Sequence, residues 1–289
     1  IDKALEQFPN RVWDTGICES HALDMLAGMA KTGCKPFFVL YSTFMQRAFD
    51  QAFQEVSLQG LSVRLCIDRA GVVGGDGAVH HGFCDISLLR VLPNSVLLAA
   101  MNEDTLKHGL EFMRTHDQGL SAIRYPRDSV SECKIKSPPF ELGKAHKLTN
   151  CKKPKLAILG YGTTAVDALN ASQRVDSASI DVYDARFAKP VDSALIKSLL
   201  TASIPVITIE DHSIVGGFGS AVIEDATKQK LNTKLITVLG LPDRFIGHGS
   251  RQEQLQEAGI DTASIAAIAE RILRNDRKNA TKYSTIVTT

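Results

Sequence analysis

The sequence predicts an α/β protein of two domains, each a mostly parallel sheet flanked by helices. Three observations lead there. Short apolar runs alternate with amphipathic stretches along most of the 289 residues, and such alternation means parallel strands joined by crossover helices. The length exceeds that of one average domain. The alternation breaks once, between residues 126 and 154, where Pro138-Pro139, several lysines and Ser129, Ser131 and Ser137 leave little periodicity. That stretch reads as a linker. The expected division is a first domain over 1–127, a linker over 128–153, a second domain over 154–274 and a tail over 275–289.

Taken in order, strands are expected at 36–40, 62–67, 95–99 and 121–124, then at 155–159, 180–183, 205–209 and 234–238. Helices are expected at 19–31, 43–59, 103–115, 163–171, 193–201, 218–229 and 262–273. The strands are short apolar runs bounded by polar or glycine-containing turns, and the helices carry apolar residues three and four apart. No internal repeat is visible.

The bulk properties exclude several classes. A net charge of +1 without a basic run argues against a nucleic-acid partner, which needs a concentrated positive face. No apolar run approaches the roughly 18 residues of a membrane span, so no membrane partner is expected. The six cysteines (Cys18, Cys34, Cys66, Cys84, Cys133 and Cys151) form no CxxC and no Cys/His ladder. They read as reduced thiols in a cytosol-like compartment, with Cys66 in an apolar strand as core. The chain opens on Ile1 rather than Met. A fragment of a longer cytoplasmic protein is expected, with a plastid address left open by the missing start.

Four stretches could carry chemistry. Glu19 stands where a strand gives way to a helix, on the rim where α/β proteins keep their ligands. It reads equally as a helix N-terminal acid favoured by the macrodipole, with Asp14 and Thr15 in turn or cap roles. Tyr41-Ser42-Thr43-Phe44-Met45-Gln46-Arg47 follows the next strand. Ser42 or Thr43 could cap a helix with Phe44 in the core; alternatively Phe44 stacks on a flat heterocycle while Arg47 and Tyr41 offer donors. The stretch from Ile67 to Gly82 ends a strand in Asp68-Arg69 and continues into a glycine-rich loop with Asp76 and His80 four apart. Glycine lets backbone approach a ligand closely, and a carboxylate and an imidazole suit proton transfer. Finally, Ser121 to Arg127 delivers Arg124 and Arg127 to the same rim, and arginine suits phosphate.

Gly75-Asp76-Gly77 with Asn102 imitates a signature that holds a metal diphosphate. That signature needs a helix directly after its second glycine, and here a His-Gly loop follows, so no metal site is assigned. In the second domain, Gly160–Thr163 and Gly216–Ser220 lack the full GxGxxG spacing, and tight helix–sheet packing explains both. Glu210-Asp211-His212 and the loop 243–249 are polar rim segments without an assigned role.

Taken together, GICESHA, YSTFMQRAFDQ, DRAGVVGGDGAVHHG and IRYPR, followed by ARFAKP, GGFGSAV and GLPDRFIGHGS, resemble the 1-deoxy-D-xylulose-5-phosphate synthases. These are thiamine-diphosphate enzymes of the transketolase superfamily. The resemblance runs to about Leu273 and covers the pyrimidine-binding and C-terminal domains of a three-domain enzyme. The first domain of that enzyme, expected to hold the diphosphate and Mg²⁺, is not in this sequence. Pyruvate dehydrogenase β-subunits and transketolases share the architecture and fit these strings less well. A non-catalytic dimerisation module would be expected to have lost Glu19, Asp76, His80 or the arginines, and all are present.

The resemblance implies roles residue by residue. Glu19 matches the glutamate that hydrogen-bonds the pyrimidine N1′ and favours its imino tautomer. Phe44 matches the ring that stacks on the pyrimidine, and Arg47 an arginine beside it. Tyr41, Arg69 and Arg127 match residues of the glyceraldehyde-3-phosphate site. Asp76 and His80 match a pair near the pyruvate adduct and the acceptor. The implied reaction joins pyruvate and glyceraldehyde 3-phosphate, with loss of CO₂, into the isoprenoid, thiamine and pyridoxal precursor 1-deoxyxylulose 5-phosphate. A homodimer, inactive without its diphosphate-binding part, is also implied. Ser20, His81 and Cys84 depart from the family's usual glutamine, glutamine and alanine, which bears on substrate preference.

Overall fold

The computed structural model describes residues 2–129 and 133–276; most of the expected tail lies outside them. Helices α1 (Asp2–Gln7) and α2 (Glu19–Lys31) precede strand β1 (Phe37–Tyr41). A 3₁₀ segment (Ser42–Ala48), the short α3 (Phe49–Gln51) and a π turn (Ala52–Ser57) lead to β2 (Arg64–Asp68). Then come α4 (Asp85–Arg90), β3 (Val96–Ala99), α5 (Glu103–Thr115) and β4 (Ser121–Arg124). The second half contains β5 (His146–Lys147), β6 (Leu156–Tyr161), α6 (Thr164–Val175), β7 (Ile180–Asp184), β8 (Phe187–Lys189) and α7 (Ser193–Thr201). It ends with β9 (Val206–Ser213), α8 (Phe218–Lys228), β10 (Ile236–Leu241), α9 (Arg251–Glu257) and α10 (Thr262–Asp276).

The architecture is the pair of mostly parallel sheets that the alternation predicts. The first sheet has the order β1-β2-β4-β3-β8 and the second β10-β9-β6-β7-β5. Strands β2, β3 and β4 are buried along almost their whole length, as are β6, β7, β9 and β10. Strands covered on both faces read as unbroken apolar runs, which is why they are visible in the sequence. Strand β1 lies at an edge and alternates, leaving Phe37 and Val39 exposed.

Among the described residues no strand precedes Glu19, which follows irregular backbone between α1 and α2, and three further features depart from the expectation. Strand β8 belongs by sequence to the second half, yet it pairs antiparallel with β3 of the first sheet, Leu98 opposite Phe187 and Leu97 opposite Lys189. At three residues ending before Pro190 it is too short to show a period. Second, the single helix expected at 43–59 is a 3₁₀ segment running into a π turn. Third, backbone in the stretch read as linker is fastened. Asn102 Nδ2 donates to the carbonyls of Cys133 and Ile135, each at 3.1 Å, and Asp104 accepts from the Ser137 amide at 2.6 Å. Arg186 donates to Ser137 Oγ at 2.7 Å and covers the Phe140 ring at 4.6 Å. Phe140 joins Phe112 and Phe187 in an aromatic cluster.

The chain ends of helices follow ordinary capping physics. Asn102 and Thr105 form a reciprocal capping box on α5, and Ser250 and Glu253 form another on α9, satisfying amides that the first helical turn leaves unpaired. The glycine loops of the second half are packing devices. A Cβ on Gly160 would stand 2.3 Å from Ala165 Cα, and one on Gly219 would stand 2.4 Å from Val238 Cγ1. Gly160→Ala should therefore push α6 off β6 and cost about 1–3 kcal/mol, read as a lowered urea midpoint with an unchanged denaturant slope.

Candidate active site

The site forms where the strands of the first sheet end. Tyr41 closes β1 opposite Asp68 of β2, and Arg124 closes β4 opposite Ile67. The segments that follow carry the functional side chains, at the carboxyl rim where α/β sheets bind ligands. Helix α2 starts on the same rim, so Glu19 is its first residue.

Tyr41, Phe44 and Arg47 are spaced by three. Side chains three apart eclipse in a 3₁₀ helix, which aligns Phe44 and Arg47, and the Tyr41 ring joins them from the end of β1. The rings of Tyr41 and Phe44 lie 5.4 Å apart at 14°, and the Arg47 guanidinium covers Phe44 at 4.5 Å. Arg69 caps the other end, 3.8 Å above the Tyr41 ring. A carboxylate closes each end. Glu19 meets Arg47 at 3.4 Å, and Asp68 meets Arg69 at 2.6 Å. The result is a ladder of acid, guanidinium, two rings, guanidinium and acid. Arg69 has φ 59, a backbone conformation that costs a non-glycine residue about 1–3 kcal/mol; Asp68 offsets part of this by accepting the Arg69 amide at 2.7 Å. Glu19 is nearly buried, whereas half of the Arg47 side chain is exposed.

His80 reaches the ladder edge-on, its ring 6.1 Å from Phe44. Thr43 Oγ1 fixes this approach by donating to the Val79 carbonyl at 3.1 Å. Asp76 and His80 sit on successive 3₁₀ turns, Gly74–Asp76 and Ala78–His80. His80 Nδ1 lies 3.4 Å from the Asp76 main-chain oxygen, while the Asp76 carboxylate pairs with Arg127 at 3.3 Å. Arg127 also donates to the Val73 carbonyl at 3.3 Å. The eight residues to which the resemblance assigns a role therefore lie on one rim, in two linked groups: Glu19, Arg47, Phe44, Tyr41, Arg69 and His80, then Asp76 with Arg127. Arg124, also expected at the rim to meet phosphate, is instead buried behind it against Asp85. Asn102 is spent on capping α5.

Several participants were not found from sequence. The second half holds the glycine-rich loop. Asp211 Oδ1 accepts the Val72 amide at 3.0 Å, and Gln254 bonds both the amide and the carbonyl of Gly74, at 2.8 and 2.9 Å. Gly71 and Gly77 are required by these neighbours. Both have positive φ; a Cβ would stand 2.1 Å from the Asp211 carboxyl group and 2.3 Å from the His248 ring, respectively. Asp211 and His248 lay in rim segments visible as polar. Gln254 is 180 residues from its partner and gives no local signal.

Behind the rim, Arg124 forms a buried bidentate pair with Asp85 at 2.8 and 3.2 Å and donates to the Asp211 carbonyl at 2.9 Å. Burial acts most strongly on the Asp85 carboxyl and opposes its charge, but Arg124, His212 and Ser42 together hold the carboxyl below the usual range. Next to it, burial pushes His212 down to about 4 and Glu210 up to about 7. His212 Nδ1 donates to the Ser213 carbonyl at 2.7 Å and Nε2 faces the Ser87 amide at 3.4 Å, so the neutral imidazole has both nitrogens partnered. The buried His81 is likewise shifted down by burial.

A mostly parallel sheet presents a buried acid, stacked rings and arginines, with a second sheet bracing the loop beside them, a set of groups whose chemistry suits a planar, charged molecule. The chain belongs to the transketolase family: residues 1–132 match the family's pyrimidine-binding domain and residues 143–265 its C-terminal domain. It is 39% identical over 286 residues to the 1-deoxy-D-xylulose-5-phosphate synthase of Bacillus cereus (strain G9842), covering 97% of this chain and 45% of that protein. It is 41% identical over 278 residues to the enzyme of the same name from Geobacillus sp. (strain WCH70), covering 95% and 44%. The chain thus spans less than half the length of these relatives. Among solved structures, it is similar to a split-gene transketolase seen as an inactive β4 tetramer, with TM-score 0.81, 26% identity, and 94% of this chain and 86% of that one covered. The fold also matches transketolase from Campylobacter jejuni subsp. jejuni NCTC 11168, with TM-score 0.70, 17% identity, and coverage of 88% and 38%.

The buried pair gives a pH signature with opposing signs. The folded pKa of His212, about 4, lies below its ordinary 6.5, so its contribution to stability is present above 6.5 and is lost as pH falls towards 4. The folded pKa of Glu210, about 7, lies above its ordinary 4.5, so its contribution is lost as pH rises from 4.5 to 7. Each slope is about 1.4 kcal/mol per pH unit. His212→Asn should uncover the Glu210 slope, so that urea midpoints of the variant fall relative to wild type as pH rises through this window.

Proposed function

We propose that this chain supplies the pyrimidine-holding wall of a 1-deoxy-D-xylulose-5-phosphate synthase, joining pyruvate to glyceraldehyde 3-phosphate with release of CO₂. The observation that carries the reading is the ladder: a buried carboxylate at one end, an aromatic pair in the middle and guanidinium groups beside it, all at one sheet rim. Relatives of that name, at 39% and 41% identity, support the choice within the family.

The residues fit thiamine diphosphate on their own chemistry. Among the described residues, the Glu19 carboxylate meets a single side-chain donor, Arg47 at 3.4 Å, so acceptor capacity remains for a ring N–H. Arg47 is half exposed, and displacing it from the face of Phe44 would open that face to a flat ring. When bound, thiamine diphosphate supplies the carbanion-stabilising chemistry. The chain's own residues do the rest. Glu19, buried at the start of α2, takes the ring-nitrogen hydrogen bond. Phe44 and Arg47 orient the ring. Tyr41, Arg69 and Arg127 bind the phosphorylated aldehyde, the arginines neutralising its charge. His80, at the edge of Phe44, and Asp76, paired with Arg127, hold and move protons at the reacting carbonyl groups.

The diphosphate and its Mg²⁺ would be held by a further domain, and a homodimer in the cytoplasm is the expected form. A split-gene transketolase chain of similar extent that is inactive as a β4 tetramer supports the view that this half needs a partner half. In the assembled enzyme, Glu19→Gln should reduce turnover of pyruvate with glyceraldehyde 3-phosphate about 10²–10⁴-fold, with thermal stability unchanged; near-wild-type turnover would refute the assignment. The chain by itself, given thiamine diphosphate and Mg²⁺, should form no product, as mass spectrometry of the reaction would show.

A further inference from the structure

We propose that Asp211, Arg251 and Gln254 of the second half are positioning residues: they fix the glycine-rich loop over 71–77, and through it Asp76 and His80, against the site. The inference rests on the role proposed above for Asp76 and His80.

The loop needs an external brace. Its glycines at 71, 74 and 77 all have positive φ, and such backbone has no preferred conformation of its own. The brace comes from three directions. Gln254 is buried, and its side-chain amide pairs with the Gly74 peptide in both directions, accepting from the amide at 2.8 Å and donating to the carbonyl at 2.9 Å. The same Nε2 donates to the Gly247 carbonyl at 2.8 Å, tying the loop that carries His248 into the arrangement. Asp211 accepts the Val72 amide at 3.0 Å through Oδ1 and pairs with Arg251 at 2.7 Å through Oδ2. Arg251 then reaches Asp128 at 3.5 Å, next to Arg127, whose guanidinium holds the Asp76 carboxylate at 3.3 Å. Both ends of the Asp76 contact are thus referred to one helix, α9, whose first turn is locked by the Ser250–Glu253 capping box. Among the described residues, the side-chain hydrogen bonds of Asp211, Arg251 and Gln254 run to Val72, Gly74, Gly247, Asp128 and one another and not to Tyr41, Phe44 or Arg47, so this brace acts first on the proton-handling side of the site.

This separation sets the test. In Gln254→Leu, which keeps the reach of the side chain and removes its polar atoms, amide exchange over 72–77 should quicken about tenfold, with exchange in β6 and β9 unchanged. This measurement needs no turnover, so it decides the brace even if the proposed reaction is wrong. If the leucine variant does not fold, Gln254→Glu keeps the acceptor for Gly74 and loses both donations, and the same exchange is read. In the assembled enzyme, turnover should fall about 10–100-fold, the size expected for a small misplacement of reacting groups, while the affinity for thiamine diphosphate stays as in wild type. Arg251→Lys, which keeps the charge beside Asp211, should retain more turnover than Arg251→Met. Unchanged exchange over 72–77 in a folded variant overturns the brace. Faster exchange with unchanged turnover, or a parallel loss of thiamine diphosphate affinity, overturns the positioning role.

Discussion

The stacked column of Tyr41, Phe44 and Arg47 is the constraint on which the site depends. In an α-helix, residues three apart are offset by about 60° around the axis. In a 3₁₀ helix they align, with a rise of about 6 Å over three residues. Phe44 and Arg47 both lie in the 3₁₀ segment, and the guanidinium stands 4.5 Å over the ring. Tyr41 ends β1 with extended backbone and brings its ring to 5.4 Å from Phe44, so the column joins a strand end to a tight winding that the following π turn relaxes. Non-α geometry within helical segments often marks function, and here its consequence is visible in the stacked side chains.

The second constraint is mutual. The first sheet carries the groups assigned to chemistry, but much of their support comes from the second. Arg124 is fully buried and would be costly there without Asp85; it then spends a further hydrogen bond on the Asp211 carbonyl across the junction. Asp211 in turn occupies the space that a side chain on Gly71 would need. Glycine at 71 and aspartate at 211 are thus one decision made at two distant places in the chain. The same holds for Gly77 and His248.

Much of this was legible in the sequence, and the exceptions have physical causes. Strands such as β4 and β6 were found because burial on both faces forces continuous apolar runs. The rim residues were found because strand ends followed by polar, aromatic or glycine-rich segments locate ligand sites in α/β folds. From spacing alone, Glu19 remained open between helix-dipole partner and functional acid, and the resemblance of GICESHA with the later strings assigned it a role that the structure leaves to experiment. The region 43–59 was misread because an amphipathic pattern does not separate α from 3₁₀ and π winding over so few turns. Strands β5 and β8 are too short to establish a period. Gln254 and Arg251 were missed because their partners are far away in sequence, and a glutamine on a polar helix carries no mark of burial.

Strand β8 has one more consequence. Because it leaves the second half to complete the first sheet beside β3, the two halves are sewn together by the chain itself. Separating them at the 128–153 segment would strip β3 of its neighbour and bare a row of amides and carbonyls, the kind of edge that recruits foreign strands. Exchanging one half for that of a distant relative would therefore require replacing this seam as well.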